Sequence, residues 1–231
     1  MLENSSTTFS RTPKRRFELE PANPSWEILL EYFPDITLEQ QRLFERLYAV
    51  YSEWNSQINV ISRKDTYLFY ERHVLHSLAI AKLLPFSEGT MVLDIGTGGG
   101  FPGIPLAILY PDCNFHLVDS IAKKIKVVQD VIEQLGLDNV QAEQGRVEDL
   151  KIRYDVIVTR AVAPLITLRR WTKGKLIKKP NQGITGLICL KGGDLTDEII
   201  EAKMKPSLYN LSDYFDGDFF QTKKLVWLKK V

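Results

Sequence analysis

The sequence predicts an α/β fold: a doubly wound, Rossmann-like sheet with helices on both faces and a helical extension ahead of it. Three observations carry that expectation. Val92-Leu93-Asp94-Ile95-Gly96-Thr97-Gly98-Gly99-Gly100-Phe101-Pro102-Gly103 reads as an apolar strand, a glycine turn and the start of a helix. Short apolar runs then alternate with segments of helical period, the pattern of a wound parallel sheet. Residues 115–119 (Phe-His-Leu-Val-Asp) form the next such run and end on an acid about 20 residues past Gly96, where folds of this kind place a carboxylate against ribose hydroxyls.

Taken in order, residues 1–24 are rich in Ser, Thr, Pro and charge, with no apolar period, and are expected to be a disordered arm. Residues 25–85 form an N-terminal helical region. Trp26, Leu29, Leu30 and Phe33 recur at helical spacing and stop at Pro34. Thr37 then sits before Glu39 and Gln40 as a helix start, followed by Leu43, Leu47, Val50, Tyr51 and Trp54. Residues 55–65 are polar and read as irregular, and 66–84 resume one helix that Pro85 ends. That helix carries His73 and His76, which lack acidic or thiol companions at ligand spacing and read as structural rather than metal-binding.

Residues 86–231 supply the sheet. After the glycine loop, 104–109 is the first crossover helix; Pro102 or Pro105 suits its first turn, where a missing N–H costs little. Residues 120–135 are amphipathic, with Ile121, Ile125, Val128, Ile132 and Leu135 on one face and Gly136 as the stop. Strands follow at 140–142 and 154–160, the latter almost wholly apolar, as a buried parallel strand should be. A helix ends near Trp171, 186–193 form a fifth strand and turn, 195–204 a helix, and 208–211 and 225–228 two closing strands expected to be antiparallel.

Composition narrows the possibilities. Lys and Arg number 30 against 29 Asp and Glu, a net charge of +1, so a long polyanion is not announced by overall charge. The charge is uneven, however: Arg169, Arg170, Lys173, Lys175, Lys178 and Lys179 fall together with no acid among them, which suits either a phosphate-contacting surface or a solvated loop. Cys113 and Cys189 have neither disulfide nor zinc spacing. No apolar run is long enough to cross a bilayer, and the N-terminus has no signal-peptide core, so a cytoplasmic protein without membrane contact is expected, and a monomer.

The ligand of the glycine loop follows from its spacing. Counting G-x-G-x-x-G from Gly96 puts Phe101 where the last glycine of a dinucleotide fingerprint belongs. Asp94 followed by glycines at alternate positions instead resembles the first motif of S-adenosylmethionine-dependent methyltransferases. Asp119 would accept two charge-assisted hydrogen bonds from ribose hydroxyls and repel a 2′-phosphate.

The resemblance then sharpens. Residues 59–65, Arg72-His73-Val74-Leu75, the run from Asp94 through Gly103-Ile104-Pro105-Leu106-Ala107, and Val118-Asp119-Ser120 with Lys123 and Lys124 all contribute. So do Arg146-Val147-Glu148, Thr159-Arg160-Ala161 and Leu190-Lys191-Gly192. Together they resemble the bacterial small-subunit ribosomal RNA methyltransferase G family, also called glucose-inhibited division protein B, from about residue 38 onward.

That resemblance implies a class I methyltransferase sheet, S-adenosyl-L-methionine as cofactor, and methylation of N7 of a guanine in 16S ribosomal RNA, as naked RNA or in the small subunit. It carries cofactor contacts to Gly96, Gly98, Phe101, Asp119, Ser120, Ile121, Val147, Glu148 and Arg160, with Arg160 and Lys191 as candidate substrate contacts and no catalytic base. For Arg160 a structural ion pair with Glu148 or Asp155 is the rival reading. The chain departs from the family pattern at Gly99 and Phe101, where Pro and Leu are usual, at His76, where Asp is usual, and in a longer 173–186 stretch. Two other functions share parts of this pattern: a methyltransferase acting on protein or a small molecule, and a non-catalytic RNA-binding module.

Overall fold

The computed structural model describes residues 25–58, 60–62, 66–177 and 183–229. The arm expected at 1–24 lies outside the described residues, as do Lys178 and Lys179 of the basic segment and Asn59 and residues 63–65 of the matched motifs. Seven strands form one sheet: β1 Met91–Ile95, β2 Asn114–Asp119, β3 Val140–Gln144, β4 Val156–Arg160, β5 Gly186–Gly192, β6 Ser207–Asn210 and β7 Lys223–Leu228. Their order is β3-β2-β1-β4-β5-β7-β6. The first five are parallel, and β7 runs antiparallel to both neighbours. Of the two closing strands, therefore, only β7 opposes the parallel set.

The chain winds outward from β1 to β3, then returns to place β4 on the other side of β1. This is the topological switch point, and crevices beyond the strand ends at such a point bind ligands. Among the described residues seven α-helices pack about the sheet: α1 Ile28–Tyr32, α2 Leu38–Gln57, α3 His76–Leu83, α4 Gly103–Leu109, α5 Ala122–Leu135, α6 Leu165–Thr172 and α7 Thr196–Ala202. Successive strand residues serve opposite faces, as the pleat requires. Val92, Val156, Val158 and Ile188 join one apolar core with α1 to α5, whereas Leu93, Ile95, Ile157 and Leu187 join a second with α6 and α7. Cys113 lies in the first and Cys189 in the second, both as free thiols.

The helix starting at Thr37 forms as its residues predict. The Gln40 N–H donates to Thr37 Oγ1 (3.2 Å) and the Thr37 N–H to Gln40 Oε1 (2.8 Å), a reciprocal capping box. The Gln40 amide also donates to the carbonyls of Ile108 and Leu109, satisfying the last turn of α4 and fixing α2 on the core.

The expected single helix over 66–84 is instead three pieces: a 3₁₀ turn at Thr66–Leu68, a π-helical turn at Tyr70–Leu75 and then α3. Apolar spacing cannot reveal such a turn, because the buried Val74 and Leu75 fit either winding. A widened turn displaces carbonyls from their usual partners, and those of Arg72 and His73 are put to use below.

Candidate functional site

The crevice at the switch point is a cavity of about 700 Å³ lined by the ends of β1, β2 and β4, the turn after β3, and α6. All nine cofactor residues expected from sequence line it: Gly96, Gly98, Phe101, Asp119, Ser120, Ile121, Val147, Glu148 and Arg160. Ile121 is a telling case. It continues the apolar stripe of α5, yet it caps that helix and is 41 % exposed, facing the cavity rather than the core.

The glycine loop is shaped from below by Asp94. This side chain is fully buried; its Oδ2 accepts from Thr97 Oγ1 (2.7 Å) and from the Gly103 N–H (2.9 Å). One carboxylate thus ties the loop's beginning to the start of α4. Burial pushes its pKa up to about 7, against the pull of the two hydrogen bonds and the charge of Arg160. Gly103 has to be glycine, because a Cβ there would stand 2.8 Å from both Asp94 Oδ2 and Leu117 Cγ. Gly96 has φ +64°, and a Cβ on it would lie 2.6 Å from Val162 Cγ2, across the seam between β1 and β4.

Asp119 faces the cavity from β2. Its Oδ2 accepts from the Gly98 N–H and its Oδ1 from the Ile121 N–H, both at 2.9 Å. A carboxylate oxygen has two lone-pair sites, so each oxygen keeps one for a ligand hydroxyl. The same group therefore holds the glycine loop and presents acceptors to the cavity. It does not cap α5, whose cap position is Ile121.

Arg160 closes the cavity from the end of β4. Its Nη1 donates to the Arg72 and His73 carbonyls, each at 3.4 Å, and its Nη2 lies 3.2 Å from His73 Nδ1. The π-helical turn thus supplies a socket for the guanidinium. Burial lowers its pKa to about 10, opposed by Asp94 and Tyr51, so it stays charged at neutral pH. The ion pair considered with Glu148 or Asp155 is not the arrangement adopted: Asp155 Oδ2 accepts from the Met91 N–H, and Glu148 is exposed at the cavity rim. The next residue, Ala161, sits at φ +52°, a strained conformation for a residue with a Cβ.

The N-terminal helices are the wall behind this loop. The Tyr51 hydroxyl on α2 donates to the Gly99 carbonyl, and its ring lies 5.0 Å from that of Phe101. Phe69 and His73 complete the cluster, at 6.0 and 5.4 Å from the Phe101 ring. Phe101 therefore supports the loop through packing as well as lining the cavity. His76 is buried on the far side, edge-on to Phe219 at 5.2 Å, its Nε2 without a hydrogen-bond partner; burial and the charges of Arg160 and Lys223 keep it neutral.

Lys191, expected as a candidate substrate contact, does not line this cavity but an adjoining groove that shares Ala161 and Val162 with it. Its Nζ is 2.6 Å from Glu198 Oε1 and donates to the Ala163 carbonyl (2.9 Å), while the same Glu198 oxygen accepts from the Leu165 N–H. These bonds clamp the segment 161–165 that follows Arg160. Sequence reasoning also missed residues that do line the cavity, among them Thr97, Lys124, Arg146, Val162, Arg170 and Trp171. Val162 and Arg146 adjoin expected residues and were within reach, whereas Arg170 and Trp171 arrive only because α6 packs beside the turn at Val147–Asp149.

Known proteins share this fold and much of this sequence. Among solved structures, a SAM-dependent methyltransferase from Aquifex aeolicus superposes with a TM-score of 0.51 at 16% identity, covering 69% of this chain and 91% of that one. A variant of MtNAS in complex with S-adenosylmethionine gives 0.54 at 18% identity, covering 88% and 75%. At such identities the likeness is one of fold, that of the class I methyltransferases. Sequence relatives are much nearer. The ribosomal RNA small subunit methyltransferase G of Christiangramia forsetii is 54% identical over 203 residues, 87% of this chain and 96% of the relative. The protein of the same name from Flavobacterium psychrophilum is 55% identical over 202 residues, with 87% and 96% covered. The family model described as rRNA small subunit methyltransferase G matches residues 40–223. The chain belongs to the rRNA small subunit methyltransferase G family.

Proposed function

We propose that the protein transfers a methyl group from S-adenosyl-L-methionine to N7 of a guanine in 16S ribosomal RNA, acting as a monomer in the cytoplasm. The observation that carries this reading is the convergence of Gly96, Asp119, Val147 and Arg160, from four separate stretches, on one cavity in a chain of this family. The donor set fits the cofactor. Asp119 has free acceptor sites for two ribose hydroxyls, the loop at Gly96 and Gly98 allows close backbone approach, and Val147 and Ile121 offer apolar contact for adenine. No helix among the described residues is long and apolar enough to cross a membrane.

When bound, the cofactor supplies an electrophilic sulfonium methyl. Guanine N7 carries an in-plane lone pair, so no side chain has to remove a proton from it. The protein's task is alignment and exclusion of water, and positioning alone supplies much of such a rate. The titratable groups nearby agree. Asp94 is engaged by the loop, and burial raises the thiol of Cys189 to about 12, so neither is poised to attack at neutral pH. Arg160, fixed in its socket, keeps a positive charge where cofactor and RNA would meet, suited to a carboxylate or a phosphate rather than to N7 itself, which a donor would block.

Transfer of labelled methyl from the cofactor to small ribosomal subunits, 16S transcript, or protein and small-molecule fractions of an extract tests this. Label confined to the rRNA supports the reading; label on protein or metabolites contradicts it. Binding of S-adenosylhomocysteine by calorimetry separates either enzyme from a non-catalytic RNA-binding module.

A further inference from the structure

The cavity is not the end of the cationic surface. Arg170 lines it and also a second groove, of about 360 Å³, together with Ile166, Arg169 and Lys173. Arg169 in turn lines a third, of about 640 Å³, with Lys203, Lys205 and Lys229 around Trp227. All six cations are exposed, and no acidic side chain lines either groove among the described residues. In a chain whose charges nearly cancel, six cations lining two adjoining grooves without an acid are a local arrangement, not a consequence of composition.

Part of that arrangement has a local cause. α6 and α7 both end here, and helix C-termini attract cations; Arg169 Nη1 donates to the Ala202 carbonyl (3.1 Å) at the end of α7. This accounts for Arg169, Arg170 and Lys203. It does not account for Lys205, which lies past α7, or for Lys229, which lies past β7 with its Nζ 4.5 Å over the Trp227 ring. Trp227 is held in turn by its indole N–H, which donates to the Thr185 carbonyl (2.9 Å), so the floor of the third groove is rigid.

We propose that this strip, from Arg170 at the cavity mouth through Arg169 and Lys173 to Lys203, Lys205 and Lys229, is a track for the phosphodiester backbone of the RNA whose guanine enters the cavity. The proposal rests on the RNA reading above and adds to it a second contact surface, running along α6 and α7 to the opposite edge of the sheet from the cavity. RNA is favoured over other polyanions by continuity: Arg170 belongs both to the place where a base must enter and to the strip that leads away from it. Backbone contacts of this kind contribute affinity without reading sequence, and each carries a counterion cost that salt exposes.

The test uses the full chain with Lys205→Gln and Lys229→Gln combined, both exposed positions remote from the cavity. Affinity for a 16S rRNA transcript is measured over a range of salt, and affinity for S-adenosylhomocysteine by calorimetry. The expected result is unchanged S-adenosylhomocysteine affinity, RNA binding weakened roughly tenfold at low salt, and a slope of log K against log salt flatter by about 0.7 for each phosphate deprived of its cation. Replacing the same two residues by Arg should restore both RNA readouts. RNA affinity and slope equal to wild type would overturn the track while leaving the RNA reading intact. Lost binding to phosphatidylglycerol vesicles with RNA binding untouched would overturn it too, in favour of a lipid surface. Wild-type protein showing no salt-dependent binding to the transcript would instead overturn the RNA reading beneath it.

Discussion

The guanidinium of Arg160 lies over the ring of Phe101, with Cζ 4.9 Å from the centroid. One residue ends β4 and the other ends the glycine loop, so this stacking joins the two sides of the switch point. A cation over an aromatic face is worth about 0.5 to 2 kcal/mol, more as water is excluded. Phe101→Leu keeps an apolar side chain but removes the quadrupole. It should lower thermal stability by at least that amount and loosen Arg160, with S-adenosylhomocysteine affinity falling a few-fold in calorimetry. A leucine variant equal to wild type in both readouts would show that Phe101 serves only as packing.

Asp119 is expected to matter twice, since it both pins Gly98 and Ile121 and offers acceptors to a ligand. Hydrogen bonds to a charged acceptor are worth about 1.5 to 3 kcal/mol each. Asp119→Ala should therefore weaken S-adenosylhomocysteine binding at least tenfold in a protein that still folds. Undiminished affinity would place the cofactor elsewhere.

The buried carboxyl of Asp94 gives a pH signature. Its pKa in the folded protein is about 7, above the ordinary carboxylate value, so the folded state holds this proton more tightly than the unfolded chain does. Its contribution is most favourable below pH 4, falls by up to about 1.4 kcal/mol per unit as pH rises toward 7, and is constant above that. Asp94→Asn keeps an acceptor for Thr97 and Gly103 and removes the titration. The difference in melting temperature between variant and wild type should move in the variant's favour from pH 4 to pH 7, and a difference independent of pH would show that Asp94 does not titrate in that window.

Lys191 distinguishes a clamp from a substrate contact. The pair with Glu198 is partly buried, so breaking it should cost between the roughly 1 kcal/mol of an exposed pair and the roughly 3–5 kcal/mol of a buried one. Lys191→Met should lower stability and raise the cofactor KM, because segment 161–165 is less firmly held, with little change in RNA affinity. Lost RNA affinity at unchanged stability would restore Lys191 to the substrate.

What the sequence disclosed and what it hid divide along a physical line. The glycine loop, Asp119 and the Thr37 capping box were legible because each is local: a turn needing positive φ, an acid at a strand end, a hydroxyl three residues before its partner. The π-helical turn at Tyr70–Leu75 was not, since its apolar pattern matches an ordinary helix and its purpose, a socket for Arg160, lies 87 and 88 residues along the chain. The pairing of Lys191, expected only as a candidate substrate contact, with Glu198 was not legible because Glu198 reaches it only after α7 folds back. The helical period put Ile121 on an apolar helix face while the resemblance put it at the cofactor, because periodicity cannot tell the last residue of a buried stripe from the first residue of a cavity wall.

The central claim is tested most directly by mapping N7-methylguanosine, through chemical cleavage at the modified base, in 16S rRNA from cells that contain or lack this protein. The account predicts one guanine methylated only when the protein is present, restored by the wild-type chain and not by Asp119→Ala. An identical methylation pattern in both cell types would contradict it.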